Sequence, residues 1–238
     1  MSTVISASVV DEPVVIQPAV NEWSPMNAAR GKFISLEGGE GAGKSTLLAG
    51  LRGALARRGI DVVQTREPGG TALGEAVRAI VLDPALRGMA AEAELLLMFA
   101  SRAQLVREII EPTLRTGRWV LCDRFADASY AYQGGGRGQP PARIAELERW
   151  ACAGLQPDLT LLLDLPVAMG RERIAGRGGA DRIEAEADAF FERVRAAYRA
   201  RAAAEPGRFC VIDASQPPDV VLRAAMAATS ALATEYAS

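Results

Sequence analysis

The feature that most constrains this chain is an apolar run that empties into a loop with almost no side chains. Phe33-Ile34-Ser35-Leu36-Glu37 leads into Gly38-Gly39-Glu40-Gly41-Ala42-Gly43-Lys44-Ser45-Thr46, and Gly38, Gly43, Lys44 and Ser45 meet the pattern G-x-x-x-x-G-K-[ST]. Glycine lets successive backbone N–H groups curl inward, and the helix that follows (Leu47, Leu48, Leu51, Leu55) adds the positive end of its dipole. The whole span from Gly38 to Thr46 therefore reads as a cradle for the phosphates of a nucleotide. Lys44 is placed to reach the β- and γ-phosphates, and Ser45 to ligate Mg²⁺.

Composition narrows the chemistry. With 238 residues, 49% of them hydrophobic and 24% charged, the chain suits one α/β domain better than two. A net charge of −2 supplies no basic field for a polynucleotide, so a small anionic substrate is expected and no nucleic acid polymer. The chain has no histidine, which removes imidazole bases and Ser-His-Asp triads and leaves phosphate chemistry run by Arg, Lys, carboxylates and a metal ion. Cys122, Cys152 and Cys210 form no C-x-x-C pair and sit in apolar runs, as buried thiols of a reducing compartment do. No apolar run reaches 18 residues and the N-terminus lacks the layout of a secretion signal. A soluble, cytoplasmic protein with no membrane partner is expected.

Residues 1–30 carry β-type residues, three prolines and no sustained period, and read as a flexible extension before a domain over 31–238. A helix closes at Arg57-Arg58-Gly59, and strand Val62-Val63-Gln64-Thr65 delivers Arg66-Glu67-Pro68-Gly69-Gly70-Thr71 to the carboxyl edge of the sheet, facing the same crevice as the first loop. Helical periodicity runs from Leu73 to Leu82 and from Ala91 to Leu114. Arg102 stands on the apolar face of the second stretch and needs an anion there, either a phosphate or the nearby Glu94 or Glu108. Trp119-Val120-Leu121-Cys122 is an apolar strand ending in Asp123-Arg124, where a carboxylate facing the metal belongs.

Ser129 to Gly138 reads as a helical turn running into a flexible glycine segment. A helix from Pro141 to Cys152, strand Leu159 to Asp164, an amphipathic helix bearing Phe190, Phe191, Val194 and Tyr198, strand Phe209 to Asp213 and an alanine-rich helix complete the chain. Between them lies an Arg/Gly-rich segment at about 171–185 (Arg171, Arg173, Arg177, Arg182), mobile and anion-seeking, which suits a lid. Strands alternating with helices predict a three-layer α/β/α P-loop NTPase fold with a five-stranded parallel sheet.

From about Phe33 onward, these motifs in this order resemble bacterial thymidylate kinases: Glu37-Gly38 with Glu40 to Ser45, Thr65 to Thr71, Asp123-Arg124, Ala131 to Gly138, and Asp181-Arg182-Ile183-Glu184. The resemblance implies phosphoryl transfer from ATP to dTMP, with Mg²⁺ held by Ser45 and Asp123, and a homodimer. It implies that Glu40 contacts the deoxyribose 3′-hydroxyl, that Arg102 and Arg124 hold the acceptor phosphate, and that Ser129 with Gln133 reads the thymine edge. Tyr132 resembles the ring that fills the space of a ribose 2′-hydroxyl, and Arg66 and Arg78 join the substrate-binding set. Many members place a Phe four residues before the arginine matching Arg102; this chain has Met98 there and Phe99 one residue on, and either covers a base. Gly39-Glu40-Gly41-Ala42 of the first loop has no basic residue, so the further catalytic charge is expected from the lid. There Arg177 is preferred to Arg173 and Arg182 because Gly176 and Gly178 flank it.

The acceptor is a phosphate oxygen already ionised at neutral pH, so no general base is required. Catalysis then consists of positioning and of charge neutralisation by Lys44, Arg124, Mg²⁺ and Arg177. A GTPase-like switch would need a guanine-reading N-K-x-D segment, and the only lysines are Lys32 and Lys44. A kinase for another nucleoside monophosphate is the nearer alternative.

Overall fold

A computed structural model describes residues 30–175 and 181–234. The expected extension, apart from Arg30, lies outside them, and so do Gly176, Arg177, Gly178 and Gly179 of the lid.

Five apolar runs become strands. In chain order, β1 (Phe33–Gly38) is followed by α1 (Lys44–Arg57), β2 (Val62–Arg66), α2 (Ala72–Leu82) and α3 (Ala91–Leu105). A wide helical turn over Val106–Ile110 joins α3 to α4 (Glu111–Arg115), so the predicted helix from Ala91 to Leu114 is one rod with a bulge. Next come β3 (Trp119–Asp123), α5 (Ala126–Ser129) with a second wide turn over Tyr130–Gly136, α6 (Pro141–Cys152) and β4 (Leu159–Asp164). The chain continues through α7 (Val167–Ile174), α8 (Asp188–Ala204), β5 (Phe209–Asp213) and α9 (Pro218–Thr234).

The strands lie all parallel in the order β2-β3-β1-β4-β5. β1 is central, with Ile34 beside Leu121 on one side and Leu159 on the other. Alternation along the strand sends side chains to opposite faces. Ile34 and Leu36 pack with Leu47, Leu48, Leu51 and Leu55 of α1 and with Val221 and Ala225 of α9. Phe33, with Val120 and Cys122, packs on the other face against Leu105, Val106, Ile110 and Leu114. Helices thus cover both faces of the parallel sheet, whose inner strands β1, β3 and β4 are buried.

Two expectations are corrected. The glycines at 134–136 are not a flexible segment: the expected helical turn runs on through them over Tyr130–Gly136, with Ala131, Tyr132, Gln133 and Gly136 buried. A Cβ on Gly136 would meet the Phe190 ring at 2.4 Å, so glycine there serves close packing of α8. Arg182 is not a swinging lid residue. It is buried, its Nε donates to the Val81 carbonyl at 2.6 Å, and its guanidinium pairs with Glu94.

Candidate active site

The β1 strand ends by turning sharply into α1. Gly38 has φ 138°, and a Cβ there would lie 2.5 Å from the Leu163 carbonyl, so the loop can leave the sheet only at a glycine. Above this turn opens a cleft of about 370 Å³ lined by the loop from Glu40 to Thr46, the turn Arg66-Glu67-Pro68, Arg78, Met98, Asp123, Arg124, Tyr132 and Gln133, with Asp181, Ile183 and Glu184 at its edge. It lies at the carboxyl ends of β1, β2 and β3, where ligands of open α/β sheets bind.

Two cations meet on one backbone carbonyl. Lys44 Nζ donates to Gly38 O at 3.1 Å and to Gly39 O at 2.9 Å, while an Nη of Arg124 donates to the same Gly38 O at 2.8 Å. Burial pulls the Lys44 ammonium pKa down and the Arg124 charge adds to that, with Glu40 and Asp123 opposing. Arg124 has φ 71°, an uncommon conformation for a non-glycine residue, which turns its side chain out of β3. Its guanidinium also donates to Glu40 Oε1 at 2.6 Å and to the Tyr198 hydroxyl at 3.2 Å, and stacks 4.7 Å from the centre of the Tyr132 ring. Burial opposes the Arg124 charge, but Tyr132, Glu40 and Tyr198 outweigh it and push the pKa up.

Glu40 is the carboxylate of the cleft. Burial works against its charge, yet Arg124, Lys44 and the Tyr132 hydroxyl, which donates at 2.7 Å, hold its pKa at about 2. Below it Glu37 is buried in β1, accepting from the Phe125 N–H and the Tyr198 hydroxyl, both at 2.7 Å. Desolvation, and then repulsion from Asp127, push its pKa up to about 8.

The structure brings most of the sequence-selected residues to this cleft. Ser45 is exposed at the first turn of α1, and Asp123 Oδ1 is buried with no hydrogen-bond partner among the described residues. Arg78 donates to the Pro68 carbonyl at 3.2 Å, and Arg66 pairs with Glu75 at 2.8 Å. Met98 reaches the cleft. Phe99 instead packs with Leu95, Ile144 and Ala151, under the Arg102 guanidinium.

Arg102 and Ser129 lie behind the cleft wall. Arg102 is fully buried, and its anion is neither Glu94 nor Glu108 but Glu67, which its Nε meets at 2.8 Å. Its other nitrogens donate to Ser129 Oγ at 3.0 Å and to Phe125 O at 3.1 Å. Arg173 donates to Ala214 O at 3.0 Å. Arg177 lies outside the described residues.

Sequence reading missed Glu37, Tyr198 and Glu94 as parts of the site. Glu37 carried a signal, a carboxylate inside an apolar strand. Glu94 gathers Gln133, Arg137 and Arg182 around one buried carboxylate.

A protein-family model described as Thymidylate kinase matches residues 36–225. A thymidylate kinase of Methylococcus capsulatus is 60% identical over 187 residues, covering 79% of this chain and 89% of that protein. One of Halorhodospira halophila is 57% identical over 190 residues, covering 79% and 88%. One of Alkalilimnicola ehrlichii is 54% identical over 210 residues, covering 88% and 97%.

Proposed function

Because the chain belongs to the thymidylate kinase family, we propose that it transfers the γ-phosphoryl group of ATP to the phosphate of dTMP, giving dTDP and ADP. The observation that carries this reading is the shared hold of Lys44 and Arg124 on Gly38 O. It supports a role for Lys44 on the donor phosphates and for its neighbour Arg124 on the acceptor phosphate. A phosphate oxygen of the acceptor forms its bond to the γ-phosphorus while the bond from that phosphorus to the β–γ bridging oxygen breaks. Electrons pass to ADP, and no proton need leave the nucleophile. The two anions repel one another, so charge placed beforehand between them lowers the barrier.

Ser45 Oγ and Asp123 Oδ1, the latter without a hydrogen-bond partner among the described residues, are hard oxygen donors that suit Mg²⁺. When bound with ATP, the ion supplies further neutralisation of the phosphates. In this reading Glu40 takes the sugar, Tyr132 stands against a 2′-hydroxyl, Met98 covers the base and Gln133 reads its edge. Arg124, Arg66 and Arg78 hold the acceptor phosphate, and Arg177 acts at the transferring group.

A homodimer is part of the same reading. Leu95, Phe99 and Leu105 of α3 belong to the chain's own core, whereas Leu96 is 57% exposed and Trp150 on α6 is 82% exposed. These two apolar side chains support a seam beside α3. Three free thiols support a cytoplasmic location, and no helix of the described residues is long and apolar enough to cross a membrane.

ADP release measured with dTMP, dUMP, CMP, AMP and a shikimate-like alcohol tests the proposal. The expected result is the highest kcat/KM for dTMP. Faster turnover of CMP, AMP or the alcohol overturns it.

A further inference from the structure

The far end of the cleft depends on a residue that does not line it. Glu94, in the first turn of α3, is fully buried. Its Oε2 meets Arg182 at 2.5 Å and Arg137 Nε at 3.2 Å, and its Oε1 accepts from Gln133 Nε2 at 2.9 Å. Of these four residues only Gln133 belongs to the cleft wall.

A primary amide offers a donor on one side and an acceptor on the other, and left to itself it can present either. Paired with two arginines, Glu94 is a carboxylate, and a carboxylate only accepts. The Gln133 amide must therefore turn its NH₂ toward Glu94. The result is visible at the other atom: Gln133 Oε1 is buried and has no hydrogen-bond partner among the described residues. A buried acceptor without a partner favours a ligand that brings a donor and disfavours one that brings a second acceptor.

We infer that Glu94 is a positioning residue for base selection, locking the Gln133 amide so that the cleft offers an acceptor to the Watson–Crick edge of the base. Thymine and uracil carry N–H at ring position 3 and satisfy it. Cytosine carries a lone pair there and leaves two acceptors opposed. The inference rests on the dTMP reading above and deepens it by naming what sets the preference. Sites that bind a substrate N–H in this way reject analogues lacking it by up to ~10⁴-fold.

The test uses the full chain and steady-state kinetics with dTMP, dUMP and dCMP. Glu94→Gln keeps the shape but gives Gln133 a neighbour that donates as well as accepts, which frees the amide to turn. The expected outcome is at least a tenfold fall in the dTMP:dCMP ratio of kcat/KM, carried by the KM values of the nucleotides. The dTMP:dUMP ratio and the KM for ATP should stay within about twofold, since both dTMP and dUMP carry the N–H. An unchanged dTMP:dCMP ratio overturns the inference, and so does an equal fall in dTMP:dUMP. Adding Glu94→Gln to Gln133→Met should change the dTMP:dCMP ratio no further; a further fall means that Glu94 acts by another route.

One measurement needs no folded variant at position 94 and no activity. In the wild-type protein without nucleotide, the Gln133 side-chain NH₂ protons, assigned against Gln133→Met, should exchange with solvent far more slowly than those of an exposed glutamine. Exchange at the exposed rate overturns the inference. Failure to phosphorylate any of the three nucleotides defeats the functional reading, and the exchange rate still decides this one.

Discussion

The hydroxyl of Tyr198, on α8, donates across 2.7 Å to Glu37 in the middle of the sheet. The same oxygen accepts from Arg124 at 3.2 Å. Tyr198→Phe removes both bonds and leaves a buried carboxyl short of a donor. The expected cost is about 1–3 kcal/mol of stability, read from urea unfolding. Arg124 keeps Gly38 O and Glu40, so turnover should fall less than tenfold. An unaltered unfolding midpoint would refute the structural part of this claim.

Glu37 makes stability depend on pH in a defined direction. Its folded pKa, raised to about 8 by burial and by Asp127, lies above the ordinary 4.5. Between those values the native state binds more protons than the unfolded chain, so stability falls as pH rises. The contribution is complete below pH 4.5 and is lost as pH passes about 8. The urea midpoint of the wild type should drop more between pH 5.5 and 8.5 than that of Glu37→Gln. Parallel profiles for the two proteins would show that Glu37 does not titrate in this window.

Lys44 supplies charge and not the cradle itself, which the backbone N–H groups of the glycine loop make. Lys44→Ala should lower turnover by at least ~10²-fold while the melting temperature shifts little. Turnover within tenfold of wild type would remove the central catalytic claim.

Glu40, held ionised by Arg124 and Tyr132, is proposed to contact the sugar 3′-hydroxyl. Glu40→Gln should raise the KM for dTMP more than it lowers turnover. Assayed with the 3′-deoxy analogue, the substitution should cost less than it does with dTMP; equal losses would count against the sugar contact.

Among the candidate lid arginines, Arg173 donates to Ala214 O and to Gly41 O of the cradle, and Arg182 is locked on Glu94 and Val81 O. Arg177 is the proposed cation at the transferring phosphoryl. Such a contact is worth ~10³–10⁵ in rate in related systems. At saturating ATP and dTMP, Arg177→Ala should retain less than a tenth of the wild-type rate. Arg182→Ala should chiefly lower the melting temperature. A nearly wild-type rate for Arg177→Ala would move the catalytic charge elsewhere.

The sheet and the cradle were legible because their signals are local. The three inner strands β1, β3 and β4 are apolar runs buried on both faces, and the turn after β1 needs glycine for its own backbone. What was not legible depended on partners distant in sequence. Glycines at 134–136 read as flexibility until Phe190 closed over Gly136. Arg182 read as a free cation until Glu94, 88 positions earlier, enclosed it. Arg102 was expected to meet a phosphate or a glutamate of its own helix, but its partner came from the turn after β2, 35 positions away. Spacing reports which face a residue occupies, and only packing reports what stands opposite.

A Cβ on Gly41 would stand 2.3 Å from the carbonyl of Gly170, and one on Gly170 would stand 2.4 Å from the carbonyl of Glu40. Two backbones thus touch with no side chain between them, one from the cradle and one from α7. A methyl group at either position is a wedge that must tilt the helix or lift the loop. Engineers seeking a different acceptor therefore have an uneven map: positions such as Met98 and Gln133 are open to variation, whereas this glycine pair should be held constant in any library.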